Sequence, residues 1–290
     1  ISVTTSIPDV ANTCIIENVI TGSNSMSNGI DINGIPTVTV QKNTISGIGT
    51  AISLNGVTSP IGSASLIGGA TSDLGNAISS NSIAMNIQHC TRITIAYNTF
   101  TDNDRAIYKY FSSDVHVENN NIITGTWSDG SYAINDPDGG NVTISGNYIY
   151  GYETGIIIAS VANVTVINNT IDGCGTAISC MDADLIVIQE NILVNNTGYG
   201  GLLDAGVTNT TVAGNQFLSN NNGGVQAADN ATGNTWTGNY WSDFEARYPD
   251  ATSTAGVWNV PYELDGSAIS SDSTAIVSTT ITIPRIVIDT

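Results

Sequence analysis

The chain has 290 residues, 41% hydrophobic and 11% charged, with six Lys and Arg against 25 Asp and Glu for a net charge of -19. Such a length suits one large domain or two ordinary ones, and so many Ile and Val residues at so low a charged fraction exclude an acidic disordered chain. The negative charge and the scatter of Lys42, Arg92, Arg105, Lys109, Arg247 and Arg285 exclude nucleic-acid binding, and no stretch approaches the roughly 18 uninterrupted apolar residues of a membrane helix.

The chain begins at Ile1 with no Met and no charged-and-apolar leader, which reads as a mature or trimmed product; an artificial boundary would look the same. Residues 1–11, with the β-prone ISVTTSI, read as an N-terminal strand or arm. From residue 12 one line recurs: NVTISGNYIYGY at 141–152 is followed by NVTVINNTIDGC at 163–174 and NTTVAGNQFLSN at 209–220. Its template places an apolar residue or Thr five before an Asn, an apolar residue three before and another two after, as in Val164, Val166, Asn169 and Ile171. The anchors are Asn18, Asn43, Asn98, Asn120, Asn147, Asn169, Asn191, Asn215 and Asn239, spaced by 25, 55, 22, 27, 22, 22, 24 and 24 residues.

A unit of 22 to 27 residues is a solenoid period, and inside each unit the apolar period is two, that of a strand. A second short strand follows most anchors, as in AISL (51–54), AIYKY (106–110) and GIIIA (155–159). Short strands turned by Gly and Asn close no core alone, whereas stacked units do, each strand pairing in parallel with its equivalent. The expected fold is all-β, a right-handed parallel β-helix of about nine or ten coils over residues 12–245. A β-sandwich competes but predicts no regular period. The gap of 55 holds either one coil with an insertion near 57–80 or two irregular coils; the insertion is preferred, with AISLNG (51–56) and SIAMNI (82–87) as halves of one interrupted strand region.

The anchor amides can bond from coil to coil as a ladder, and Asn also tolerates the left-handed backbone of a corner. Asn141, Asn163, Asn168, Asn195, Asn209 and Asn230 begin N-x-[ST] sequons, glycosylation candidates that also read as turn asparagines followed by strand Thr or Ser. Cys14, Cys90, Cys174 and Cys180 allow up to two disulfides in three connectivities, or stand as buried thiols. No catalytic set is assigned. The alternative is a carboxylate pair for glycoside hydrolysis drawn from Asp102 and Asp104 on one strand phase, with His116 and Glu118 one coil on, and Arg105 and Asp114 beside them. Asp129, Asp136 and Asp138 in WSDGSYAINDPDGGN (127–141) are oxygen ligands on a Gly-rich loop, the one candidate Ca²⁺ site; no other cofactor is expected.

The last coil swaps aliphatics for Trp, and Trp236, Tyr240, Trp241, Phe244, Trp258 and Tyr262 are expected to plug the open end; a platform for sugar rings is the alternative. GNTWTGNYWSDF (233–244) and the later VPYELDG (260–266) resemble the terminal segments of NosD-like parallel β-helix (PbH1) repeat proteins, which abound at the surface of methanogenic archaea. Between the two stands EARYPDATSTAGVWN (245–259) in place of an acidic, glycine-rich run. Residues 246–290 read as a cap and extended tail whose ITIPRIVIDT (281–290) folds back along the rod or adds to a neighbour's sheet edge. The resemblance implies an extracellular or cell-surface setting. The leading expectation is a structural protein that assembles, as a homo-oligomer or polymer, into a filament, sheath or surface layer. The alternative is a carbohydrate-binding or polysaccharide-cleaving module with cell-surface glycans as partners.

Overall fold

A computed structural model describes residues 1–4, 12–23, 27–125 and 128–279. Each coil gives one strand to each of three parallel sheets, and among the described residues each sheet holds ten strands. The first sheet includes Thr50–Asn55, Ile83–Gln88, Arg105–Tyr110 and Tyr132–Asp136; the second, Thr91–Ala96 and Ser112–Glu118; the third, Thr99–Thr101 and Asn121–Ile123. The architecture is a parallel β-helix. Its core lies inside the coil because alternate side chains turn inward: Val115, Val142, Val164 and Ile186 stand in one column of successive coils, all buried. Each such side chain contributes roughly 1.5–3 kcal/mol of burial.

The anchor asparagines form a continuous buried ladder. Asn169 Nδ2 donates to Asn191 Oδ1 at 3.0 Å and to the carbonyls of Ile144 and Ile167 at 2.9 and 3.1 Å, and its backbone N–H donates to the same Asn191 oxygen at 2.9 Å. The same bond joins Asn18 to Asn43, then to Asn76, Asn98, Asn120, Asn147 and Asn169, and onward through Asn215 to Asn239. The left-handed turn falls on the residue before the anchor, with φ of 53° at Lys42, 59° at Tyr97 and 54° at Glu190. Anchor and corner are thus separate roles, because an amide locked into the ladder needs an extended backbone behind it.

Asn76 fills the gap of 55: the segment 57–80, expected as an insertion, carries strands Ser65–Gly68 and Ala77–Ser79 of the stack, with its added length in the turns. Asp73 stands where the template wants an apolar residue, since a single 3-10 turn, Ser72–Leu74, separates strand from anchor. The strands on either side, Thr50–Asn55 and Ile83–Gln88, are neighbours in one sheet rather than halves of one strand, with Ile52 opposite Met85. At the start, Ser2–Thr4 pairs with Asp31 to Asn33 as the opening strand of the first sheet. Residues 5–11 and the tail 281–290 lie outside the described residues.

The C-terminal end is closed by rings. Trp241 stacks between Phe217 at 4.2 Å and Tyr262 at 4.0 Å, and Phe244 stacks on Trp258 at 4.6 Å. Two buried carboxylates fasten this plug: Asp229 accepts from Trp236 Nε1 at 3.0 Å, and Asp272 ends the ladder by accepting from Asn239 Nδ2 at 2.9 Å and Trp241 Nε1 at 3.3 Å. All four cysteines are free thiols, with Cys14 exposed and the others buried, so of the two readings the buried thiol holds for Cys90, Cys174 and Cys180 and no disulfide is formed. Burial pushes Cys90 up to about 11 and Cys174 and Cys180 up to about 12. Among the described residues no helix is long and apolar enough to cross a membrane.

Candidate functional site

The strand Arg105–Tyr110, RAIYKY, sends Tyr108 and Tyr110 outward and Lys109 inward. Parallel register then sets Tyr108 between Asn86 and Asn135, Tyr110 beside Gln88, and Arg105 between Ile83 and Tyr132. Rings follow one another along the outer face. His89 and Phe111 stack at 5.4 Å, Phe111 meets Tyr110 at 4.1 Å, Tyr110 and Tyr108 lie 6.2 Å apart with planes 9° from parallel, and Tyr108 is 6.3 Å from Tyr132. The track ends at the Arg105 guanidinium, 5.5 Å from the Tyr132 ring centre, inside cation–π range. His89 and Phe111 are exposed, Tyr110 and Tyr108 half-buried and Tyr132 buried at 6%, so the track opens to solvent at its His89 end and closes over at Tyr132.

At the start of the same strand a cleft of about 290 Å³ is lined by Asp104, Arg105, Asp129 and Ser131 among others. A second, of about 460 Å³, shares Ser82 and Asp104 with it and continues past Asp102. An aromatic track therefore leads into an acid-lined groove. Inside the coil, toward the far end of the same strand, Lys109 Nζ lies 2.6 Å from Asp136 Oδ1 and donates to the carbonyls of Ser112 at 2.8 Å and Asp138 at 2.5 Å. Burial pushes the Asp136 carboxyl up to about 6 against the pull of the Lys109 charge.

The four candidates for bond cleavage are divided between faces. Asp102 and Asp104 are exposed in the corner between third and first sheets, whereas His116 and Glu118 stand on the second sheet, Nδ1 and Oε1 3.5 Å apart. The corner at Phe111 turns the chain between them, so a shared strand phase does not give a shared face. Asp102 holds a left-handed φ of 52° and accepts from Gly125 N, and Asp114, at φ 54°, pairs with Arg92 at 3.8 Å. The three calcium candidates are likewise apart: Asp129 lines the outer cleft, Asp136 is spent on Lys109 inside, and Asp138 accepts from Gly139 N. Among the described residues these three carboxylates do not gather into one cation site, because Asp136 ends a strand with its side chain inside the coil while Asp129 and Asp138 lie in the turns on either side of that strand. Among the sequons, Asn141, Asn163, Asn168, Asn195 and Asn209 all hold φ between 50° and 60°, and Asn230 accepts from Ser267 N.

Sequence reasoning treated AIYKY only as a strand; its Y-x-Y spacing, two rings on one side of a strand with a corner Phe next, was the signal for the track. It also missed a second amide ladder. Asn81 donates to Asn103 at 2.9 Å, and Asn196 to Asn220 at 2.8 Å, each five residues beyond an anchor.

The model of the family described as "Right handed beta helix region" matches residues 84–240, more than half of the chain. No curated protein matches the sequence. Among solved structures, the mannuronan C-5 epimerase AlgE6 A-module of Azotobacter vinelandii is 15% identical, with 92% of this chain and 81% of that chain covered at a TM-score of 0.55. An alginate lyase of Paenibacillus is 13% identical, covering 79% of this chain and 78% of that one at 0.44. A mutant tailspike protein of Escherichia coli bacteriophage HK620, in complex with a pentasaccharide, is 10% identical, covering 82% of this chain and 55% of that one at 0.41. At these identities the likeness is one of fold.

Proposed function

We propose that this chain, which belongs to the right-handed β-helix family, is an extracellular or cell-surface protein that binds polysaccharide along the outer face of its first sheet. The observation that carries the reading is the ring track from His89 and Phe111, both exposed, through the half-exposed Tyr110 and Tyr108 to the buried ring of Tyr132, flanked by the amides of Asn86, Gln88 and Asn135. Sugar rings stack on flat aromatic faces while amides bond their hydroxyls, and fixed rings lose little conformational freedom on binding. The mannuronan C-5 epimerase is named for a polysaccharide, and its likeness in fold supports the reading. Binding rather than cleavage is proposed because the acidic candidates are split between faces.

Glycan-array screening followed by calorimetry tests this. Tyr108→Ala is expected to weaken the best glycan about tenfold, equivalent to one lost stacking contact of about 1.4 kcal/mol. Equal affinity for wild type and the Tyr108→Ala, Tyr110→Ala double variant refutes it. A second reading, a subunit that packs into a filament, sheath or surface layer, is favoured by Ile16 and Val19 in the opening coil, 43% and 77% exposed. Sedimentation of the same sample tests that: association that rises with concentration and fails in Val19→Asp supports packing, and a monomer at all concentrations removes it.

A further inference from the structure

Resting on the polysaccharide reading, we infer that Arg105 selects a sugar ring bearing a carboxylate, and that the ligand is a glycan in which such acidic rings are set apart by neutral ones. Among the described Lys and Arg residues, Lys42, Arg92, Lys109 and Arg247 each have a carboxylate partner, in Glu17, Asp114, Asp136 and Asp243 respectively. Arg105 is the one without. In a chain with 25 acidic residues, that unpaired charge is conspicuous, because a flexible surface cation ordinarily finds one of many nearby acids.

Its position explains what the charge can do. The guanidinium sits over Tyr132 at the end of the ring track and at the mouth of the cleft of about 290 Å³. Seating on the Tyr132 ring, whose hydroxyl it also contacts, restricts the exposed side chain and its planar fork of donors. That fork matches a carboxylate in two parallel bonds, which a compact ammonium cannot reproduce. A pyranose stacked on Tyr108 would carry its exocyclic carboxylate toward Arg105, the next outward residue toward the start of the same strand, beyond the buried Ala106 and Ile107.

The surroundings limit the ligand's charge. Asp104 and Asp129 line the same cleft, and Asp102 lines the next. A carboxylate on the adjoining ring would meet those acids at short range, where salt screening over about 8 Å gives little relief. The net charge of -19 adds a repulsion that grows with every further acid on the glycan. One acidic ring per several neutral ones satisfies the fork without crowding the groove.

Calorimetry with three probes tests this: glucuronoxylan oligosaccharides carrying one uronic acid, the same oligosaccharides after carboxyl reduction, and oligogalacturonate with an acid on every ring. Wild type is expected to bind the singly acidic oligosaccharide about tenfold more tightly than its reduced form, and more tightly than oligogalacturonate. Arg105→Gln is expected to collapse the preference between the first two to about twofold or less, and Arg105→Lys to restore part of it. Arg105 is exposed, so melting temperatures of the variants are expected to match wild type and show that the fold is kept. A preference that survives Arg105→Gln, its absence in wild type, or tightest binding of oligogalacturonate overturns this inference while leaving the binding reading intact. If wild type binds none of these probes and no glycan on the array, the reading beneath it falls as well.

Discussion

Replacing Lys109 and Asp136 together by leucine is expected to leave the protein as stable as wild type or more so, although each replacement alone is strongly destabilising. The two residues interrupt an inward column of the first sheet that otherwise runs Ile32, Leu54, Ile87, the ion pair, Ile158, Cys180 and Leu203. Both side chains are buried, Lys109 at 2% and Asp136 at 1% exposure. Asp136→Leu strands an ammonium with only the carbonyls of Ser112 and Asp138, an expected cost of about 3–5 kcal/mol, and Lys109→Leu strands the carboxyl at similar cost. The double variant removes both charges and restores an aliphatic column, which by the same reasoning is neutral or gains about 1–4 kcal/mol. Raising Asp136 from 3.8 to about 6 corresponds to about 3 kcal/mol. The sign follows from proton binding. The folded chain holds that proton more tightly than the unfolded chain, so this contribution is fully present below pH 3.8 and is lost as pH rises through about 6. Urea unfolding followed by tryptophan fluorescence, at pH 7 and again near pH 4, measures both effects. A double variant whose loss equals the sum of the two single losses, or one that keeps the wild-type pH dependence between those values, refutes the argument.

Asn169→Ala cuts the ladder at its middle, taking the shared acceptor from Asn147 N and Nδ2 and the amide donor from Asn191 Oδ1 and the carbonyls of Ile144 and Ile167, and is expected to cost about 3 kcal/mol or more in urea unfolding. A loss below about 1 kcal/mol would show that the amides are dispensable. Asp272→Ala removes the acceptor that ends the ladder and fastens Trp241; it is expected to shift tryptophan emission to the red and admit iodide quenching, while unchanged emission argues against the plug's dependence on that carboxylate. With a thiol reagent at pH 8, one group, Cys14, is expected to react at once, and Cys90, Cys174 and Cys180 only on unfolding, because burial holds those thiols protonated. Rapid release of more than one equivalent from the native protein contradicts that burial.

The coil was legible because its constraints repeat. Inward Val and Ile columns and an amide that must stand in the same place each turn leave a period in the sequence, as Val142, Asn147 and Val164, Asn169 show. The coil anchored at Asn76 escaped the template since a 3-10 turn put Asp73 where the pattern demanded an apolar side chain. The Lys109–Asp136 pair was legible only in part: both residues sit at inward strand positions, yet in sequence they read as an exposed basic residue and a loop acid. Only the pairing of adjacent coils, 27 residues apart, brings them together.

The outer surface obeys a different rule, and that is why its carboxylates are a weak signal of a site. Every coil needs left-handed corners, and Asp and Asn are the side-chain-bearing residues best suited to them, as at Asp102, Asp114, Asn141 and Asn163. Clusters of acids or amides therefore arise wherever neighbouring corners stack, whether or not a ligand exists. An aromatic residue at an outward strand position has no such structural excuse. Tyr108 and Tyr110 are not needed to turn the chain, fill the core or continue a ladder, and leaving their faces open to water costs burial that an inward site would have supplied. In a parallel β-helix the informative surface residues are those that the coil does not require, and by that criterion the track beginning at Arg105 outweighs the carboxylates beside it.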